Sequence, residues 1–255
     1  MAILISFGLQ KGGVGKTTTT AITAFILSKT KRVLAVDLDG QGNLTRMLTG
    51  KRKSSFEKTI YDVLKAVNTD NCITVVTDTL HVIAANDDAS KIPGLVASSK
   101  EKQRLHLLKL SLESIQNEYD YILIDLPPAL AEQTLLGLTA SDYTVTMLQT
   151  DPFAFHALDD YLETCQLVKE AYNPKLKLAG ILSVLLNSRA SLDQSILRKV
   201  RDDYEELVFS SVVKRQARIK EFTITGISDR TKTDRKVLTE YTHFVEELIE
   251  RVEKG

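Results

Sequence analysis

The segment Ile3-Leu4-Ile5-Ser6-Phe7-Gly8-Leu9-Gln10-Lys11-Gly12-Gly13-Val14-Gly15-Lys16-Thr17-Thr18 decides how this chain is read. Residues 3 to 7 are β-prone and almost wholly apolar, as in a strand buried on both faces. Glycines at 12, 13 and 15 let backbone N–H groups converge without a Cβ in the way, and the helical pattern that follows presents its positive end to the loop. Strand, glycine-rich loop and helix in that order make a cradle for phosphate. Within it Gly12, Gly13, Val14, Gly15 and Thr18 supply the loop and helix start, Lys16 reaches the outer phosphates, and Thr17 offers a hydroxyl to Mg²⁺. A tight strand-to-helix turn would account for one glycine, but not for three with Lys-Thr at fixed spacing.

Working outward, apolar β-rich runs alternate with helical patterns, the mark of an α/β chain with a mostly parallel, twisted sheet covered by helices on both faces. The expected strands are 3–7, 32–37, 80–84, 121–125, 143–148, 178–185 and 207–213. The expected helices are 16–28, 56–67, 100–116, 155–172, 192–204 and 234–253. In the last, Val237, Leu238, Tyr241, Phe244, Val245, Leu248 and Val252 recur at helical spacing and read as core packing. With no repeat, low-complexity tract or linker in view, residues 1–255 read as a single domain.

Carboxylates close two of these strands. Val36-Asp37-Leu38-Asp39-Gly40-Gln41-Gly42-Asn43 places Asp37 and Asp39 at a carboxyl strand end, where open α/β sheets bind ligands. Such groups hold a metal-bound water or orient an attacking one; a plain polar turn is the alternative. Tyr121 to Asp125 runs into Leu126-Pro127-Pro128, and Asp125 fits the anchoring of Mg²⁺ through water.

The usual G-x-x-x-x-G-K-[ST] pattern calls for glycine at position 10, whereas this chain has Gln10 followed by Lys11. A second lysine at the loop mouth repels Lys16 until a triphosphate supplies the opposing charge. KGGVGKTT resembles the deviant Walker A motif of the ParA/MinD ATPases, and the likeness to the ParA/Soj partition ATPases extends over nearly the whole chain. The resemblance implies a P-loop fold, ATP and Mg²⁺ as ligands, and ATP hydrolysis in which Lys11, Lys16 and Asp39 take part. It implies that Lys11 crosses to the nucleotide of a second subunit in an ATP-sandwich homodimer. The acidic segment looks like the family's DxDPQGN switch, with Gly40 where proline is usual. By that match Asp39 positions the hydrolytic water and Asp37 supports the Mg²⁺ shell or Lys11, alongside Thr17 and Asp125. The segments at Asp151-Pro152 and Asn187 resemble base-binding loops, with Asn187 on the adenine edge.

Val208 to Lys220, VFSSVVKRQARIK, carries Lys214, Arg215, Arg218 and Lys220 with no acidic residue, and Arg189 lies nearby in sequence. It resembles the strand-loop region with which the family binds double-stranded DNA without sequence preference. A partition role also implies a ParB-like or other cargo adaptor that stimulates hydrolysis, and a cytoplasmic, nucleoid-associated location. A helix-turn-helix extension ahead of the loop and an amphipathic tail after Val252 are both unexpected here. The rivals are a MinD-like or protein-cargo-positioning ATPase, a cluster-assembly reductase, and a nucleotide-gated scaffold without turnover.

Composition narrows these classes. Lys plus Arg equals Asp plus Glu at 33 each, so any polyanion surface must be a local patch. Cys72 and Cys165 have no metal-ligand spacing and read as ordinary thiols. The N-terminus lacks the pattern of a secretory signal, and no stretch has the apolar length of a membrane span.

Overall fold

The apolar run at the start of the chain becomes strand β1 (Ile3–Gly8), buried along nearly its whole length. The computed structural model describes residues 1–149, 154–186, 191–214 and 216–254. Among the described residues seven further strands join β1 in one sheet: β2 (Val33–Asp37), β3 (Ile73–Val75), β4 (Leu80–Ile83), β5 (Tyr121–Asp125), β6 (Tyr143–Gln149), β7 (Lys177–Leu186) and β8 (Val208–Lys214). Their order is β3-β4-β2-β5-β1-β6-β7-β8, parallel throughout except for the antiparallel β3–β4 pair. The fold is therefore α/β with a mostly parallel sheet, as expected.

The helices are α1 (Lys16–Leu27), α2 (Asn43–Thr49), α3 (Ile60–Ala66), α4 (Ile92–Ser98), α5 (Leu107–Leu112), α6 (Glu132–Ala140), α7 (Ala154–Ala171), α8 (Ser191–Tyr204), α9 (Ala217–Thr225) and α10 (Lys232–Lys254). Helices α1, α2, α9 and α10 pack as one group and α3 to α7 as another. Strand β1 touches α1 from the first and α6 from the second, so the two groups cover opposite faces. The α10 stripe from Val237 to Val252 is buried, as its spacing predicts.

Four departures from the sequence reading stand out. Strand β3 and helices α2 and α4 are three to seven residues long, too short to show periodicity. The expected helix at 100–116 is broken: α5 is flanked by 3-10 turns over Glu101–His106 and Glu113–Glu118. In place of the loop implied after β8, α9 forms, burying Ile219 and Phe222 three residues apart. Helix α6, buried on most sides, offers little polar contrast to reveal it.

At the β8 edge, α10 covers N–H groups that would otherwise be open. Glu247 accepts from Ser210 N (2.9 Å) and Ser211 N (3.1 Å), and Glu240 from Lys214 N (2.8 Å). Arg251 donates to the carbonyls of Ala179 (3.0 Å) and Val208 (3.1 Å) and stacks over Phe209. This clamp sits where β7–β8 pairing shifts register.

Candidate nucleotide site

Strand β1 delivers the glycine loop to the carboxyl edge of the sheet. Gly8 is packed so closely that an added Cβ would lie 2.0 Å from the Tyr161 hydroxyl, which itself bonds Thr144 Oγ1 at 2.8 Å. Gly15 holds φ 89° directly before α1, a conformation that L side chains rarely adopt. No side chain caps α1 and no acidic residue stands in its first turn, so its leading N–H groups and positive end face the loop.

Lys16 is 5% exposed, and its Nζ donates to the carbonyls of Lys11 (2.7 Å) and Leu9 (3.1 Å). Burial lowers its pKa, against the opposing pull of Asp125 and Asp39. Lys11 is half-buried, its N–H donating to Leu9 O at 2.8 Å.

Two carboxylates lie beneath the loop, facing each other across the paired ends of β2 and β5, with Asp37 in register with Asp125. Both are fully buried. Asp125 is held well above the usual carboxylate range by burial, then by the neighbouring charge of Asp37, while the Thr17 side chain and Lys16 pull the other way. Its Oδ1 lies 3.5 Å from Thr20 Oγ1, and its buried Oδ2 has no hydrogen-bond partner. A buried, unpartnered carboxylate oxygen beside a threonine hydroxyl suits a hydrated Mg²⁺, whose remaining ligands would be water and phosphate oxygen.

Asp37 is engaged differently. Its Oδ2 accepts from Thr45 N (2.9 Å) and Thr45 Oγ1 (2.7 Å), and its Oδ1 from Asp39 N (3.1 Å). Burial pushes it up to about 6, with the Thr45 bonds opposing. These bonds tie β2 to α2 and fix the start of the acidic turn. Asp39 accepts from Gln41 N (3.0 Å) through Oδ1 and from Gly42 N (2.8 Å) through its carbonyl, so its side chain leaves a tight turn at the edge of the cleft.

The cleft is a cavity of about 500 Å³. Gly12, Gly13, Val14, Gly15, Lys16, Thr17, Thr18 and Asp39 line it together with Pro128, whereas Lys11, Asp37 and Asp125, also read from sequence as site residues, do not. Lys214 and Lys220, read from sequence as DNA contacts, line the same cavity. Arg218 corrects the picture of unopposed charge: it pairs with Asp234 (2.7 Å) and Glu221 (2.5 Å), and Lys214 pairs with Glu240 (3.3 Å). Two of these acids belong to α10 and the third follows on α9, outside the window read from sequence. Asp151, Pro152, Asn187, Arg189 and Arg215 lie outside the described residues. Sequence reasoning missed Asn43, Arg46 and Met47 on α2 and Tyr241 on α10, all lining the cleft. Tyr241 was visible only as a core position.

A family model described as an AAA domain matches residues 2–178. The sporulation initiation inhibitor protein Soj of Bacillus subtilis is 34% identical over 232 residues, 87% of each chain. The chromosome partitioning protein ParA of Myxococcus xanthus is 35% identical over 221 residues, 86% of this chain and 77% of that one. The chain belongs to the ParA/Soj family of AAA-domain ATPases. A solved structure from Mycobacterium smegmatis, described as cobyrinic acid a,c-diamide synthase with bound ADP and magnesium, shares the fold with a TM-score of 0.85 at 30% identity, covering 100% of this chain and 97% of that one. Among the described residues of this ParA/Soj chain, no helix is long and apolar enough to cross a membrane.

Proposed function

We propose that the chain is a nucleotide-gated partition ATPase that binds ATP with Mg²⁺, pairs with a second copy, and holds DNA in the paired state. The observation that carries this reading is the juxtaposition under one loop of Lys16, Thr17 and the unpartnered Asp125 oxygen at the uncapped start of α1. The synthase name of the mycobacterial neighbour speaks to that protein's substrate; its ADP and magnesium support the ligands proposed here. The names of the Soj and ParA relatives support partition.

In this mechanism the loop N–H groups and Lys16 hold the phosphates, and Thr17 and Asp125 hold Mg²⁺, which when bound neutralises charge on the triphosphate. Lys16 already lies against loop carbonyls, so it turns from Leu9 and Lys11 to phosphate at little cost in ordering. Asp39 orients a water for attack on the terminal phosphate, and the turn anchored by Asp37 holds Asp39 there. Lys11 extends to the nucleotide of the second copy, so occupancy favours the dimer.

Lys214 and Lys220 belong to the DNA surface, to which the sequence reading adds Arg189 and Arg215; Arg218 supports it through Asp234 rather than offering a free charge. Because Lys214 and Lys220 line the nucleotide cleft, nucleotide and DNA affinities are coupled through β8 and α9. A cargo adaptor accelerates hydrolysis and resets the cycle, in a cytoplasmic, nucleoid-associated protein. The test is Asp39→Ala: nucleotide and DNA binding persist while phosphate release with DNA present falls to background. Phosphate release at the wild-type rate removes Asp39 from the mechanism.

A further inference from the structure

We propose that Lys53 is a positioning residue that braces the turn carrying Asp39, supplying the stiffness that a glycine at position 40 withholds. This rests on the reading of Asp39 above. The turn runs from Asp39 to Gly42, closed by Gly42 N on Asp39 O at 2.8 Å, with Gly40 and Gln41 at its centre. Glycine at the first central place leaves that backbone freer than any other residue would.

Lys53, from the segment after α2, meets the turn twice. Its Nζ donates to the carbonyl of Gly40 at 3.1 Å, and its stem lies so close to Gly42 that a Cβ there would be 2.9 Å from Lys53 Cβ. Gly42 holds φ 66° and is also walled by Ala85 O, so the lysine stem occupies a space that only glycine leaves. The lysine side chain is 29% exposed, and its Nζ is held from the other side by Asp87 at 2.5 Å. Asp87 is 85% exposed and so steers the ammonium more than it secures it.

The brace continues beyond Lys53. Asp87 opens the short turn Asp87–Lys91, and the Ala89 carbonyl of that turn accepts from Gln133 Nε2 at 3.1 Å. Gln133 stands in the first turn of α6, which follows Pro128 at the border of the cleft. Lys53 thus links the Asp39 turn to the helix behind the second strand-end carboxylate. The chemistry required of it is a long cationic donor: arginine retains it and methionine retains only the stem.

The experiment compares wild type, Lys53→Met, Lys53→Arg and Lys53→Met with Gly40→Pro in two readouts. The first is amide hydrogen exchange at residues 39–43 without nucleotide; Lys53→Met speeds exchange there, and both Lys53→Arg and the added proline slow it again. The second is steady-state ATP turnover with DNA; Lys53→Met lowers kcat by about 10- to 100-fold, as expected for a misplaced catalytic group, with KM for ATP little changed and recovery in the other two variants. Unchanged exchange and unchanged kcat in Lys53→Met overturn the proposal, as does a matching loss of exchange protection across the whole chain. If wild type itself shows no turnover, the reading of Asp39 falls, and the exchange readout still decides whether Lys53 braces the turn.

Discussion

Replacing Asp125 with asparagine should make the nucleotide-free protein more stable and less able to use Mg²⁺. Asp125 is fully buried, its Oδ2 has no partner, and it faces the equally buried Asp37 across β2 and β5. Stripping water from a charged group that lacks a partner costs at least about 1–3 kcal/mol, and like charges on facing strand positions add to it. Removing the charge should recover a similar amount, raising Tm by roughly 2 to 10 °C for a chain of this size. The sign with pH follows from the direction of the shift. The folded-state pKa of Asp125 lies above its unfolded value, so its contribution is fully present below about pH 4 and is lost as pH rises toward the folded value. The advantage of Asp125→Asn should therefore widen from pH 4 to pH 8. Thermal unfolding followed by far-UV circular dichroism in EDTA reads this arm. In the second arm, Mg²⁺ and a non-hydrolysable ATP analogue at 100 times Kd should stabilise wild type by about 2.7 kcal/mol and the variant by much less. An Asp125→Asn protein that melts below wild type at every pH, or gains as much from Mg²⁺ and analogue, would refute the reasoning.

Gly8→Ala should lower the urea midpoint by the equivalent of about 1–3 kcal/mol, since its Cβ would fall 2.0 Å from Tyr161 Oη; an unchanged midpoint would mean that helix α7 yields freely. Asp234 is held down to about 2 by its bond to Arg218, so the pair's contribution to stability is complete above about pH 4 and disappears as pH falls toward 2. Arg218→Ala should flatten acid unfolding in that window, and an identical acid profile counts against the pair. Lys220→Ala should reduce the slope of log DNA affinity against log salt by about 1 per chain, as expected for one lost phosphate contact, while leaving the urea midpoint in place. The same slope would move Lys220 from the DNA surface to the nucleotide alone.

How much of this could be read beforehand differs by element. The loop at Gly12–Thr18 was legible because its residues are contiguous: the glycines, Lys16 and Thr17 that line one cleft are neighbours in the chain. The central strands were legible because burial on both faces writes itself as an unbroken apolar run, as at Tyr121–Asp125. Short helix α2 was not, since seven residues carry too little periodicity, and with it went Arg46 and Met47 at the cleft. The fate of Asp37 depends on Thr45, eight residues on, donating twice to it. Nothing local distinguishes that bond from a metal contact. The charge of Arg218 was misjudged for a related reason, because Asp234, sixteen residues on, is brought alongside only by the turn between α9 and α10.

The claim on which the account turns is that a bound triphosphate joins two chains through Lys11. Sedimentation velocity with Mg²⁺ and a saturating non-hydrolysable ATP analogue tests it most directly. The account predicts a two-chain species for wild type and a single chain for Lys11→Ala, with analogue bound in both. Wild type that binds the analogue and sediments as one chain would contradict it.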